Sequence, residues 1–167
     1  MYPIKLILEE NKRSALKGFT THHTIKPLNN TTFDPESFLN AAKQNGLETF
    51  KPQTKVRIVL RADMKHNLPA AEAQSVVETQ NFQSKTYVIL ESTNKDKLWS
   101  EMREQVLENL ETFLMKGSDW TFSEVLSLDI HTLKYKPFRG GSWYPLANFL
   151  AAKGALINMK NSDNFCF

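Results

Sequence analysis

Cys166 is the only thiol in the chain. It follows Asp163 and Asn164 in the closing segment "INMKNSDNFCF". A cysteine in such a setting acts as a nucleophile when a helix begins at it, because helix N-terminal N–H groups favour the thiolate and offer donors to an oxyanion. Asp163 and Asn164 would cap that helix or help form the oxyanion site. Catalysis also needs a base, and no histidine here is marked by spacing as its partner. Cys166 therefore reads either as one part of a site completed by other residues or as a tail residue without chemistry.

The four histidines are the next candidates. His22 and His23 are adjacent, so on a strand they face opposite sides and do not share a metal. His66 and His131 stand far off in sequence, and with a single cysteine no zinc-ligand spacing results. The histidines read as ordinary polar residues, and neither a metal nor another cofactor is expected. Arg139-Gly140-Gly141-Ser142 contains glycines but lacks the Lys-Ser/Thr ending and the strand-to-helix setting of a phosphate loop. Its plainer reading is a glycine hinge beside two anchoring aromatics, Trp143 and Tyr144. Its functional reading is a nucleic-acid contact. Lys134, Lys136, Arg139 and Lys153 set cations around Trp143 and Tyr144, a mixture suited to phosphate neutralisation with base stacking.

The whole composition limits what these residues can serve. With 167 residues, 41% of them hydrophobic and 11% aromatic, the chain can bury a real core, and 23% charged residues is ordinary for a soluble surface. A net charge of +3 permits nucleic-acid contact without demanding it. One cysteine excludes a disulfide framework and fits a reducing compartment. No apolar run approaches the roughly 20 residues of a membrane span, and the start, "MYPIKLILEENKRS", does not read as a signal peptide. An intracellular protein, nuclear or cytoplasmic and with no membrane partner, is the expectation.

Residues 1–53 read as an irregular arm. Tyr2 to Leu8 suggests a short strand, and "THHTIKPLNNTTFDPES" is rich in turn-forming residues. Asp34-Pro35-Glu36 predicts a helix start, with Gly46 expected to end a short helix and Lys51-Pro52-Gln53 to mark a boundary. From residue 54 the alternation sharpens. Val56, Ile58, Leu60 and Ala62 share one face of a predicted strand, with Lys55, Arg57 and Arg61 on the other. A second strand is predicted from Lys85, and the stretch before it reads as extended. A long helix follows over residues 93–116, capped by Thr93, with Trp99, Met102, Val106, Leu110 and Phe113 at helical spacing. A third strand runs from Trp120 to Tyr135, with Leu126, Leu128 and Ile130 alternating with Ser127, Asp129 and His131. A short helix over residues 148–153 and a strand over residues 155–159 close the reading. The fold class expected is α+β: a mainly antiparallel sheet covered by one long amphipathic helix, an order that allows a ferredoxin-like arrangement.

From Phe82 onward the chain resembles a segment of large proteins from Polinton (Maverick) elements and related viruses. The matching residues are Gly117, Ser118 and Trp120; Tyr135, Pro137, Gly140 and Ser142; Tyr144, Pro145 and Leu146; and residues 153–167. Phe138, Trp143 and Ala147 depart from the family's pattern. The resemblance covers about half the chain and implies an N-terminal piece of a longer protein, residues 54–167 forming a domain that continues past Phe167. In that family a zinc finger, sometimes a nuclease, and a protein-primed family B DNA polymerase lie downstream. None of their functional residues is present here, and only Cys166 with Asp163-Asn164 matches a position that carries chemistry. The function implied is a non-catalytic module of a mobile-element or viral replication protein, positioning DNA, replication proteins or the downstream domains of its parent polyprotein. The alternatives are the front half of a cysteine-peptidase-like domain and a domesticated protein-interaction domain.

Overall fold

The computed structural model describes residues 6–11, 19–28, 34–66, 76–116 and 119–135. Its organising strand is β3 (Thr54–His66), in which Val56, Ile58, Leu60, Ala62 and Met64 are fully buried while the residues between them are not. Strict alternation of this kind makes one face of a sheet a core face and leaves the other polar. Around it stand β1 (Leu6–Asn11), β2 (Thr20–Pro27), β4 (Val76–Gln83), β5 (Tyr87–Ile89) and β6 (Trp120–Lys134). Every pairing is antiparallel, in the order β1-β2-β6-β3-β4, with β5 continuing beside β3.

Two helices, not one, cover the core face. α1 (Pro35–Thr49) begins as its sequence predicts: Asp34 caps it by accepting from the Ser37 N–H at 2.9 Å, and Pro35 occupies the first turn. It does not stop at Gly46. That glycine lies inside the helix where Trp99 of α2 (Lys95–Met115) packs on it, and a Cβ there would fall 2.1 Å from the indole Cζ3. The glycine serves a close helix–helix approach rather than a helix end. α2 is capped by Asn94, whose Oδ1 accepts from the Lys97 N–H at 3.0 Å. Thr93, the expected cap, instead accepts from the Leu90 N–H in the preceding turn at 2.8 Å. Phe38, Leu39 and Ala42 from α1, with Leu98, Trp99, Met102, Val106 and Leu110 from α2, meet Ile25, Ile58, Leu60, Leu128 and Ile130 in one apolar cluster.

The described residues before Thr54 therefore belong to the same sheet and core. β2 pairs with β6 from Thr20↔Leu133 to Ile25↔Leu128, and α1 contributes fully buried side chains. The expected boundary at Lys51-Pro52-Gln53 is a tight turn tied on both sides. Gln53, with φ of 57°, donates its N–H to the Ile89 carbonyl at 2.8 Å and accepts from the Tyr135 N–H at 2.7 Å. The compact unit that holds the described residues extends to Tyr135.

The described elements run β1-β2-α1-β3-β4-β5-α2-β6, with strands outnumbering helices. The strand between β2 and β3 is β6, the last in the chain, which gives this sheet its own strand order. β6 also carries two extra residues. Its register against β3 slips between Arg61↔Ser127 and Ala62↔Val125, and again between Asp63↔Glu124 and Met64↔Phe122. The first bulge moves Leu126 out of the core face and puts Val125 into it, so the alternation read through Leu126 breaks there. Among the described residues no helix is long and apolar enough to cross a membrane.

Candidate functional site

Opposite the helices, the second face of the sheet carries the charge. Antiparallel register sets side chains of neighbouring strands side by side on one face. One row across this face reads His22 of β2, His131 of β6 and Arg57 of β3. The next row on one side reads Thr20, Leu133 and Lys55; on the other side it reads Thr24, Asp129 and Val59. Further along β3 the same face presents Arg61 and Lys65. None of these residues needs a loop to place it; each follows from the pleat of the strand that carries it.

At the centre two imidazole rings stack, His22 on His131, with centroids 4.5 Å apart and planes 21° from parallel. Asp129 lies behind them, nearly buried. Its Oδ1 accepts from the Thr24 hydroxyl at 2.9 Å and stands 3.8 Å from His22 Nε2. That nitrogen is buried and lacks a hydrogen-bond partner among the described residues. Burial first, then the charges of His22 and Arg57, hold the His131 imidazole below the usual histidine range, and Asp129 opposes them. Lys55 sits over the Tyr135 ring, its Nζ 5.0 Å from the centroid.

These groups surround a groove of about 460 Å³ whose walls include Thr20, His22, Lys55, Arg57, His131 and Leu133. No carboxylate lines it among the described residues. Stacked rings cannot flank a phosphorus atom from opposite sides, as an acid and a base acting in line would need to. The arrangement is suited to holding an anion beside apolar surface. Nor do His22, His131 and Asp129 form a metal-ligand set among the described residues.

The chain was compared with protein-family models, curated proteins and solved structures. Nothing matches it.

Of the residues expected to bind nucleic acid or to catalyse, Lys134 alone lies within the described part. It ends β6, exposed, next to Thr54 of β3, and it borders a smaller groove with Phe19, His23, Thr49 and Lys51 rather than the histidine groove. Lys136, Arg139, Trp143, Tyr144, Lys153 and Cys166 lie outside the described residues. So do the helix expected over 148–153 and the strand expected over 155–159.

Although far apart in sequence, His22 and His131 are cross-strand neighbours. His23 points to the opposite side, beside Ile130, as adjacency on a strand requires. Half of this site was visible in the sequence, since Arg57 and His131 had already been placed on the polar sides of their strands. The other half depended on "TTHHTIK" being β2, which its Thr and Ile content favours and its turn-rich neighbourhood obscured.

Proposed function

We propose that this chain is a non-catalytic module that positions DNA within a mobile-element or viral replication protein, and that its helix-free sheet face is the contact surface. One observation carries the reading: Lys55 and Arg57 on one face of β3 stand next to His22, His131 and the Tyr135 ring, and Arg61 and Lys65 follow on the same face further along the strand. Cations spaced along a strand neutralise successive phosphates, and aromatic faces beside them accept bases. The acidic groups on this face are partly engaged. Asp129 accepts from Thr24, and Asp63 accepts from the Thr79 hydroxyl at 2.6 Å. Arg57 has no ion pair among the described residues. The resemblance to Polinton-type proteins supplies the biological setting and agrees with a module that lacks polymerase and nuclease residues of its own.

The test is fluorescence anisotropy of labelled single- and double-stranded DNA at low and moderate salt, with an Arg57→Ala/Arg61→Ala double variant. Binding that falls steeply with salt, and falls further in the variant, is expected. Removing two phosphate contacts should lower the salt slope by about 2. An absence of binding at low salt, or binding indifferent to both salt and the double variant, would overturn the reading.

A further inference from the structure

We infer that the groove between β2, β6 and β3 is a proton-coupled seat for one phosphate of single-stranded DNA, held by Arg57, Lys55 and the His22–His131 pair. The inference rests on the DNA-positioning reading and names the atoms at its centre.

Charge pairing within the groove is incomplete. Facing His131 are Asp129 on its own strand, His22 and Thr24 from β2, and Arg57 with Lys55 from β3. On β1 the register sets Asn11 opposite His22 and Glu9 opposite Thr24. Asp129, anchored by Thr24, is the carboxylate within reach of His22, and it can balance one imidazolium there. A proton on His131 would meet Arg57 with no further counter-ion lining the groove among the described residues. A bound phosphate supplies that counter-ion. It lies against Arg57 and His131, draws a proton onto the latter, and lets His22 close on Asp129. The buried His22 Nε2, which has no hydrogen-bond partner among the described residues, gains one in the same step.

Single strands suit this seat better than a duplex. The groove is about 460 Å³, within the usual size of small-ligand pockets, and it is recessed between side chains. Leu133, Val56 and the threonine methyls give it an apolar flank. A flexible strand can drop one phosphate into it and lay the adjoining base on that flank, whereas a duplex holds its phosphates on a regular outer surface.

The probe is tetramethylrhodamine-labelled oligothymidylate, in which neither thymine, phosphodiester nor dye titrates across the histidine range. Affinity at constant low salt should rise as pH falls from about 8 to about 5.5, by up to tenfold per pH unit for each proton taken up. His131→Asn should flatten this dependence, while Arg61→Gln, outside the groove, should weaken binding and leave the pH slope intact. Circular dichroism at each pH establishes that the variants are folded. Should His131→Asn fail to fold, nitrogen-15 imidazole shifts of the wild-type chain decide: the pKa of His131 must rise when oligothymidylate is added. Salt-sensitive binding with no pH slope and an unmoved His131 would overturn the seat and leave the DNA-positioning reading in place. No binding at any pH would overturn both. Equal affinity for a duplex of the same length would remove the single-strand preference.

Discussion

The two sides of β3 are made by one strand and answer to different physics. Toward the helices, Val56, Ile58, Leu60, Ala62 and Met64 are fully buried in one apolar cluster with Trp99, Met102 and Ile130. Away from the helices, Lys55 and Arg57 stand beside two stacked histidines, while Arg61 and Lys65 follow along the strand with Asp63 between them and Glu124 opposite it. This face therefore mixes charges of both signs, and Lys55 and Arg57 beside the imidazoles form its cationic end, where the proposed ligand would sit. The contrast implies that substitutions on the first face should unfold the protein, and those on the second should change what it binds.

The sharpest break of the comparison lies where α1 and α2 touch. Trp99→Ala should cost about 4 kcal/mol in urea-induced unfolding, since it empties the largest fully buried side chain among the described residues. Gly46→Ala should cost about 3 kcal/mol, because the added methyl overlaps the indole and one helix must move. On the other face, Thr24→Val should cost about 1–2 kcal/mol by leaving the nearly buried Asp129 short of a donor. Arg57→Ala should shift stability by no more than about 0.5 kcal/mol while weakening DNA binding. An Arg57→Ala loss as large as that of Gly46→Ala would erase the distinction between the faces.

Acid sharpens the contrast further. The folded-state pKa of His131 is depressed, so the unfolded chain binds its proton more readily. Stability from this group is present above the unfolded value of about 6.5 and is lost as pH falls through the lower folded value. His131→Asn should remove that part of the acid loss, read as a smaller change in urea midpoint between about pH 7 and pH 5.

What the sequence made legible follows from period alone. The alternation of β3 and the 3.6-residue stripe of α2 both stand in the structure, as does the Asp34-Pro35 start of α1. Gly46 was misread because a glycine that ends a helix and one that admits an indole look alike until the neighbouring helix is known. Leu126 was placed in the core because a bulge changes parity without leaving a mark in the local pattern. β2 was hidden in a stretch whose Thr, Asn and Pro also suit turns. With β2 unread, the stacked histidines could not be found, since their meeting depends on the register of two strands from opposite ends of the described chain.

The central claim is that the helix-free face is the binding surface. Amide chemical-shift mapping during titration with oligothymidylate tests it most directly. The account predicts perturbations concentrated at His22, Arg57, Arg61 and His131 and on the strands that carry them, with α1 and α2 unaffected along their outer surfaces. Perturbations confined to the helices, or absent from β2, β3 and β6 at saturating ligand, would contradict it.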